Sequence, residues 1–313
     1  VDRGGCFSHP SFLIWRDPDM VDFGKVMTAM VTPFKPNLKV DYDRVGELAK
    51  LLVETGSDSL VVSGTTGESP TLSFEEKLDL FRVVLDAVGD KANIIAGTGG
   101  NSTESSIELT RSAEEIGVHG IMLVVPYYNK PPQEGLIAHF TAIADATDLP
   151  IILYNIPGRT GINMTPDTIE TLSRIENIAG VKEASGNLEQ VTDIRRRTPP
   201  SFKIYSGDDT LTLPIMAVGG EGIISVASHV AGREIKQMID AFQQGNVKMA
   251  AELNCKLFPL FRALFVTTNP IPVKLALRLK GFDVGGVRPP MVEAGEREAG
   301  IVEKALTDMG LIS

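Results

Sequence analysis

The fold is decided by the stretch NIIAGTGGNSTESSIELTRSAEEIGVHGIMLVV at residues 93–125. It begins and ends with short apolar runs rich in β-branched residues, which are typical of buried strands. Between these runs, apolar residues recur at helical spacing, with Ser102 or Thr103 at the start and Gly117 directly after the end. A hydroxyl residue suits the N-cap of a helix, and a glycine suits the residue after its last turn. The stretch therefore predicts a strand, a helix and a second strand parallel to the first.

The same alternation continues along the chain from Lys25 onward. Eight short apolar runs have the length and composition of strands: Val26–Thr32, Ser59–Ser63, Asn93–Ala96, Gly120–Val125, Pro150–Asn155, Ile178–Glu183, Lys203–Ser206 and Gly222–Val226. Ser73 with Glu76 forms a capping box, and Thr165-Pro166 marks another helix start. Strands that alternate with helices form parallel sheets, and eight such units match the (β/α)8 TIM barrel of the α/β class. A doubly wound open sheet is the competing architecture.

The chain is predicted to have three parts. Residues 1–19 are an N-terminal extension that we expect to be unordered, because regular patterns begin only after Met20. Residues 20–245 form the barrel, whose last helix is predicted at Arg233–Gln244. Residues 246–313 form a small C-terminal helical region with three helical patterns: Val247–Leu264, Pro272–Leu279 and Glu296–Met309.

The composition excludes several classes of protein. Thirty basic residues against forty acidic ones give a net charge of −10, which repels both nucleic acid and anionic membranes. No run of about 20 apolar residues is available to span a bilayer. Two cysteines cannot build a disulfide framework, so we expect a cytoplasmic protein. The four histidines have no metal-ligand spacing, and P-loop and G-x-S-x-G motifs are absent, so no metal site is predicted.

Polar side chains follow five of the predicted strands at their C-terminal ends. The segments are Gly64–Ser69, Pro126–Asn129, Tyr154–Gly161, Lys182-Glu183 and Ser206–Asp209. In a (β/α)8 barrel the active site lies at this end of the strands. The sequence therefore predicts that these segments meet in one active site.

Lys182 is the most informative of these residues because it lies in an apolar strand. A lysine that points into a barrel loses hydration, which lowers its pKa and exposes the amine lone pair. Such an amine can attack a keto group and form a Schiff base. A solvent-facing lysine paired with Glu183 explains the position equally well, and the residues alone leave both interpretations open.

Other residues at the strand ends suit the same chemistry. The phenols of Tyr154 and Tyr128 can donate and accept protons during imine formation, although strand-end tyrosines often simply pack. The pair Thr65-Thr66 offers hydroxyls and backbone amides to a carboxylate, and Arg159 offers a planar fork for another. Alternatively, Thr65-Thr66 could belong to a turn without a binding role, and Arg159 could be a surface arginine.

Four motifs together resemble the 4-hydroxy-tetrahydrodipicolinate synthase (dihydrodipicolinate synthase) family. They are Gly64–Ser69, Pro126–Pro131, Tyr154–Gly161 and Val181–Asn187, in the order and at the spacing of the family. The resemblance extends from about Lys25 to the C-terminus. It implies a barrel lyase that condenses pyruvate with L-aspartate 4-semialdehyde, on the route to diaminopimelate and lysine.

The resemblance also implies catalytic roles. Lys182 would form the Schiff base with pyruvate, without a metal or an organic cofactor. Tyr154, Thr66 and Tyr128 would form a proton relay. Tyr127 would cross a subunit interface and complete the neighbouring site, within a homotetramer that is a dimer of dimers.

Further residues are implied to bind the substrates. Thr65 and Thr66 would hold the pyruvate carboxylate, and Arg159 would bind the carboxylate of the semialdehyde. The backbone of Gly207 and Ile224 would line the pocket. Because the whole protein is negatively charged, such local groups have to attract the two anionic substrates at short range.

Two rival functions share parts of this pattern. An N-acetylneuraminate lyase or a keto-deoxy sugar acid aldolase would have the same barrel, lysine and tyrosine, but Thr66 and Arg159 favour the synthase. A catalytically silent binding protein would not need the complete set of Lys182, Tyr154, Tyr128 and Thr66.

Some members of the family are inhibited by lysine at the dimer interface, and here the match is incomplete. Three residues fit that site: Ser69, Asn101 and Tyr127. Phe74 and Lys77 replace histidines of strongly regulated forms, and Ser105 stands where a glutamate would bind the lysine amine. Loss of such a charge-assisted contact costs about 1.5–3 kcal/mol, so weak or absent inhibition is predicted.

Overall fold

Eight parallel strands close into a barrel in sequence order, as seen in a computed structural model that describes residues 22–312. The strands are β1 (Val26–Ala29), β2 (Ser59–Val62), β3 (Asn93–Gly97), β4 (Gly120–Val124), β5 (Ile151–Asn155), β6 (Ile178–Glu183), β7 (Lys203–Ser206) and β8 (Gly222–Ser225). β8 pairs with β1 and completes the ring. The predicted (β/α)8 barrel is confirmed, and the open sheet is excluded. The predicted extension, residues 1–19, lies outside the described residues.

Helices connect the strands and continue after the barrel. They are α1 (Tyr42–Glu54), α2 (Phe74–Val88), α3 (Thr103–Ile116), α4 (Gln133–Ala144), α5 (Pro157–Thr160), α6 (Pro166–Leu172), α7 (Leu188–Arg197), α8 (Thr212–Ala217), α9 (Ser228–Gln243), α10 (Val247–Ala263), α11 (Ile271–Leu279) and α12 (Glu296–Asp308). None of the helices within residues 22–312 has both the length and the apolar character that a membrane crossing requires.

Several helix boundaries follow the signals in the sequence. The capping box before α2 is formed, with Ser73 accepting from the Glu76 N–H and the Glu76 side chain accepting from the Ser73 N–H. Ser102 caps α3, and Gly117 ends it in the left-handed conformation with φ 92°. These contacts satisfy backbone groups that a helix end otherwise leaves free.

Two helices differ from the prediction. α9 starts at Ser228 rather than Arg233, because a first helical turn precedes the predicted helix and is joined to it across a backbone kink at Ala231, which has φ −136° and ψ 36°. α5 occupies part of a segment that the sequence indicated only as a strand-end loop. Its single turn begins at Pro157 and ends at Gly161, which has φ 78°.

The barrel interior is filled by side chains from the strands. Its cluster consists of Phe23, Met27, Ala29, Val61, Ile95, Met122, Ile152, Tyr154, Tyr205 and Ile224. Burial of each large apolar side chain contributes about 1.5–3 kcal/mol, and the closed barrel depends on many of them. Tyr154 and Ile224 belong to this cluster, so the packed interior reaches the floor of the predicted active site.

The C-terminal helices pack on one side of the barrel. α10 lies along α9, and α12 contacts both α10 and α11. The segment that leads into α11 reaches back to the C-terminal ends of the barrel strands, where Asn269 contacts Thr66. The helical region therefore contributes directly to the predicted site.

Candidate active site

Lys182 points into the barrel from β6. Its side chain is 5% exposed, and its strand neighbours in register are Tyr154 on β5 and Tyr205 on β7. The Nζ atom lies 4.3 Å from the centroid of the Tyr154 ring. Glu183 faces away from this lysine and accepts hydrogen bonds from Asn155. The alternative of a solvent-facing lysine paired with Glu183 is therefore excluded.

The surroundings of Lys182 make its amine reactive near neutral pH. The pKa of Lys182 is lowered to about 7, chiefly by burial; the Asp209 carboxylate opposes the fall and Arg159 adds to it. A lysine with this pKa is largely neutral just above pH 7, and the neutral amine is the nucleophile. The site thus holds an amine that can attack a carbonyl carbon.

Tyr154 is buried beside this amine and has a protonated phenol. Burial raises the pKa of Tyr154 to about 12, although Arg159 and a hydrogen bond with the Thr65 side chain oppose the rise. A phenol that stays protonated at neutral pH can donate a proton to a leaving hydroxyl. Tyr154 and Lys182 together provide an acid next to a nucleophile.

The two threonines of the glycine-flanked loop differ from their predicted roles. Thr65 contacts the Tyr154 phenol and lines the cavity, whereas Thr66 is buried and accepts a hydrogen bond from Asn269 Nδ2 at 2.9 Å. The expectation that Thr66 continues the relay from Tyr154 is thus corrected, because successive side chains of this tight loop point in different directions. Thr65 is the hydroxyl next to Tyr154.

The two adjacent tyrosines also exchange their predicted positions. Tyr127 lines the chain's own cavity, while Tyr128 is 90% exposed and has φ 73°. The prediction had Tyr127 crossing to a neighbouring subunit and Tyr128 acting in its own site. The left-handed backbone at Tyr128 turns its ring away from the chain's own pocket. This conformation is unfavourable for a residue with a Cβ, and strain of this kind is common at functional sites.

Arg159 lies on α5 at the rim of the cavity. Its Nη2 donates to the backbone carbonyl of Asn269 at 3.2 Å, which holds the guanidinium over the opening. Because a guanidinium has five N–H donors, further donors remain for a carboxylate. The geometry suits the predicted anion-binding role.

Gly207 and Ile224 lie close to the lysine. A Cβ on Gly207 would stand 3.2 Å from both Cε and Cγ of Lys182 and 2.8 Å from Cβ of Ala184. A glycine here therefore leaves room for the lysine side chain. Ile224 is buried in the interior cluster, and the substrate-binding role of its backbone stays a prediction.

A cavity of about 210 Å³ lies at the C-terminal end of the barrel, and Lys182 lies beside Tyr154, one of the residues in its wall. Its lining includes Ser63, Gly64, Thr65, Ser69, Pro70, Gly97, Gly99, Met122, Val124, Tyr127, Tyr154, Ile156, Arg159 and Thr160. Since a water molecule takes up about 30 Å³, the space fits a small organic molecule.

Two buried polar residues at the site had no predicted role. The Asp209 carboxylate accepts from Ser225 Oγ at 2.5 Å and from the N–H groups of Val226 and Ala227. Burial raises the pKa of Asp209, and these hydrogen bonds oppose the rise. The Ser206–Asp209 motif predicts that Asp209 lies at the site, but not that its carboxylate accepts these hydrogen bonds. Asn269 lies far along the chain from the loop it contacts, and no motif in the sequence indicated it.

Within residues 22–312, no three histidine, cysteine, aspartate or glutamate side chains are grouped so that they could hold a metal ion. His139 instead pairs with the Thr103 hydroxyl at 2.9 Å, and burial lowers its pKa to about 4. The absence of a cofactor from the reaction stays a prediction.

A closed (β/α)8 barrel with a buried lysine beside a tyrosine at the C-terminal end of its strands is typical of aldolase-type lyases. The chain belongs to the dihydrodipicolinate synthetase family, whose sequence model matches residues 22–309. The family and the lyase class predicted from the sequence are thereby confirmed.

Individual relatives support the same conclusion. The 4-hydroxy-tetrahydrodipicolinate synthase of Moorella thermoacetica is 59% identical over 292 residues, which cover 93% of this chain and 100% of that protein. The synthase of Desulforamulus reducens is 56% identical over 293 residues, 93% of this chain and 99% of its own. The crystal structure of the enzyme from Cyanidioschyzon merolae with lysine bound has a TM-score of 0.92 at 52% identity, over 93% of this chain and 99% of that one. These relatives support the synthase and not the sugar-acid lyases.

Proposed function

We propose that this chain condenses pyruvate with L-aspartate 4-semialdehyde through an imine between the pyruvate keto carbon and Lys182 Nζ. The observation that carries the proposal is the buried Lys182 amine, 4.3 Å from the Tyr154 ring and shifted to a pKa of about 7. The family supplies the identity of the two substrates.

The first stage forms the imine. The neutral Lys182 amine attacks the keto carbon, and its lone pair becomes the new carbon–nitrogen bond. The nitrogen gives up its two protons, which pass by way of the Tyr154 phenol to the former keto oxygen, so the oxygen leaves as water and the phenol is regenerated; the Thr65 hydroxyl hydrogen-bonds the phenol during this transfer. The Thr65-Thr66 loop holds the pyruvate carboxylate during this stage.

The second stage makes the carbon–carbon bond. Loss of a proton from the methyl group converts the imine into an enamine, because the imine nitrogen accepts the electron pair. The enamine carbon then attacks the aldehyde carbon of the semialdehyde, whose carboxylate binds Arg159. The carbon–oxygen π bond breaks, and the oxygen takes up a proton that balances the one lost from the methyl group, so a hydroxyl results. Attack of the semialdehyde amine on the imine carbon closes the ring and releases the Lys182 amine. The imine serves as the electron sink, so the cycle requires neither a metal nor an organic cofactor.

The assembly we propose is a homotetramer built as a dimer of dimers, in which Tyr128 of a second copy completes each site. The support is that Tyr128 is 90% exposed, on a strained backbone directly beside a residue that lines the cavity. A large exposed aromatic side chain of this kind is typical of an interface. A cytoplasmic location is part of the same proposal.

We expect inhibition by lysine to be weak, because Ser105 stands where a glutamate would bind the amine of the inhibitor. Ser69 and Tyr127 line the cavity, while burial lowers the pKa of Lys77 on α2. The crystal structure of a relative at 52% identity contains bound lysine, so inhibition of this chain by lysine is tested by direct measurement. Half-maximal inhibition at sub-millimolar lysine would contradict the expectation.

Incubation with pyruvate and sodium borohydride, followed by intact and peptide mass spectrometry, tests the proposed function. We expect a reduced adduct on Lys182 and none on the Lys182→Met variant. A reductase-coupled assay with aspartate semialdehyde then distinguishes the synthase from other lyases. Absence of an adduct contradicts the imine, and an adduct without condensation contradicts the second substrate.

A further inference from the structure

The loop that carries Thr65 and Thr66 is tied to the C-terminal helical region at two points. Asn269 Nδ2 donates to Thr66 Oγ1 at 2.9 Å. Five residues further on, Lys274 Nζ lies 2.6 Å from Glu68 Oε1. Both contacts come from the segment that begins α11, so one segment of the helical region holds the loop from both sides.

The Glu68–Lys274 ion pair is deeply buried. The side chains are 1% and 2% exposed, respectively. Lys274 Nζ also donates to the Gly286 carbonyl at 2.7 Å and lies 4.1 Å from the centroid of the Phe34 ring. The second oxygen of Glu68 accepts from the Arg288 N–H at 2.9 Å. Each charge thus has several fixed partners.

Stability alone does not account for this pair. Taking two charges out of water costs free energy that their attraction often fails to recover, and apolar residues of similar size are frequently as stable. A buried pair does fix geometry, because removing either charge leaves the other without a partner.

The backbone at Glu68 shows what is fixed. Glu68 has φ 58° and ψ 34°, a left-handed conformation that side chains with a Cβ disfavour. Its carboxylate is the group that Lys274 and the Arg288 N–H hold in place. Because the left-handed residue closes the turn after Thr65 and Thr66, the direction of those two residues depends on the Glu68 anchor.

We propose that Lys274 and Asn269 are positioning residues for pyruvate binding. Lys274 holds the loop through Glu68, and Asn269 orients the Thr66 hydroxyl. Since Asn269 donates to the Thr66 oxygen, it fixes this buried hydroxyl directly behind Thr65, which lines the cavity. The inference rests on the proposed function and adds two residues outside the barrel to its binding machinery.

Two variants and one control separate positioning from stability. The double variant Lys274→Met/Glu68→Gln removes both charges and leaves none unpaired. Asn269→Leu removes the donor to Thr66 but keeps the backbone carbonyl that accepts from Arg159. Lys236→Met is the control, because it breaks an ion pair with Asp58, whose carboxylate accepts from the N–H groups that begin β1 at the opposite end of the barrel.

The measurements are Tm, kcat and the separate KM values for pyruvate and semialdehyde. We expect both test variants to raise the pyruvate KM by about tenfold or more, with the semialdehyde KM within about twofold of the wild-type value. Lys236→Met should lower Tm without changing either KM. If Lys274 and Asn269 only stabilise the fold, their variants should show a lower Tm with both KM values unchanged.

The inference is overturned if the pyruvate KM stays within about twofold of wild type in the folded variants, or if both KM values rise equally. If the double variant does not fold, Asn269→Leu decides alone. The borohydride experiment on the wild-type protein tests the proposed function separately from the positioning roles of Lys274 and Asn269. No wild-type adduct rejects the proposed function, whereas a wild-type adduct with unchanged variant KM values rejects only the positioning roles.

Discussion

Lys182 shows how the position of one side chain creates a nucleophile. An exposed lysine has a pKa near 10.4 and is almost fully protonated at neutral pH. Here the barrel interior removes water from the amine, and Arg159 adds repulsion, so the pKa falls to about 7. Asp209 prevents a larger fall. The balance of these three effects sets the fraction of reactive amine at neutral pH.

The rate of imine formation should therefore follow the titration of Lys182. Protonation removes the lone pair, so the rate of borohydride-trapped adduct formation should be low below pH 6, rise through about pH 7 and level off above pH 8. The measurement is the initial trapping rate at saturating pyruvate across this range. A rate that still increases beyond about pH 9 would show that the amine keeps an ordinary lysine pKa.

The two loop threonines should have separable effects. Thr65→Val removes the hydroxyl beside Tyr154, so we expect kcat to fall by about 10²-fold with a small change in the pyruvate KM. Thr66→Val should chiefly raise the pyruvate KM, because it removes the hydroxyl through which Asn269 holds the loop proposed to bind the carboxylate. Steady-state kinetics of both isosteric variants provide the comparison. Equal losses of kcat in the two would contradict this division.

For single residues, the sequence predicted which segments meet at the site, but it did not predict which of two adjacent residues in a segment has a given role. Motif spacing was sufficient to bring Lys182, Tyr154 and Arg159 together. It could not separate Thr65 from Thr66 or Tyr127 from Tyr128, because the direction of adjacent side chains in a turn depends on backbone angles. Tyr128 has φ 73°, a value that no residue pattern signals for a tyrosine.

At the scale of elements, the ends of β6 and β7 have to meet closely around the lysine. Lys182 is in register with Tyr205, and the Gly207 N–H donates to the Glu183 carbonyl at 2.8 Å. The lysine side chain therefore runs beside the backbone that follows β7. A glycine at this point allows the two strand ends to approach each other.

Gly207→Ala should lower activity by displacing the amine. Its Cβ would stand 2.8 Å from Cβ of Ala184 and 3.2 Å from Cε of Lys182, closer than real Cβ contacts allow without movement. We expect a loss of kcat/KM for pyruvate of about tenfold or more. Gly158→Ala is the matched control, since an added Cβ there has no heavy atom within 4 Å. Equal activity of the two variants would contradict the close packing around the lysine.

The sequence predicted the elements well where the signal was local. All eight strands were located. The capping box of α2 was read from Ser73 with Glu76, and the start of α3 was placed at Ser102 or Thr103. The early start of α9 was missed because the backbone kink at Ala231 has no signal in the residue pattern, and the single turn of α5 is too short to have a period. Contacts between distant segments, such as Asn269 with Thr66, leave no trace in a single sequence.

At the scale of the whole molecule, the reactive lysine makes the fold less stable. In the unfolded chain its amine has the ordinary pKa of 10.5, whereas the folded pKa is about 7. Between these values the unfolded state binds more protons, so this residue makes the free energy of unfolding rise with pH. Below pH 7 its full destabilising effect is present.

Lys182→Met should accordingly stabilise the protein while it abolishes the imine. Met is similar in length and needs no water, so we expect Tm at pH 7 to rise by about 5 °C or more. The difference in Tm between variant and wild type should shrink as the pH increases toward 10. Calorimetry at several pH values checks this. A variant less stable than the wild type at pH 7 would show that the amine stabilises the fold.

The exposed Tyr128 leads to a prediction about the assembly. If Tyr128 acts in the site of a second copy, Tyr128→Phe in one chain and Lys182→Met in the other damage the same site of a hybrid pair and leave the other site intact. The Lys182→Met chain then supplies an intact Tyr128 to the partner that keeps its lysine, and one of two sites works. Hybrids isolated by two affinity tags should show about half of the wild-type activity or less, far above either parent.

A matched hybrid shows whether the recovery comes from a shared site. Tyr154 and Lys182 belong to the same chain's cavity, since the amine lies 4.3 Å from the Tyr154 ring. Hybrids of Tyr154→Phe with Lys182→Met should therefore regain no activity beyond that of their parents. If the Tyr128→Phe hybrid also stays at the level of its parents, Tyr128 serves its own chain or none. Recovery only with Tyr128→Phe makes the pair of chains, rather than the single chain, the catalytic unit.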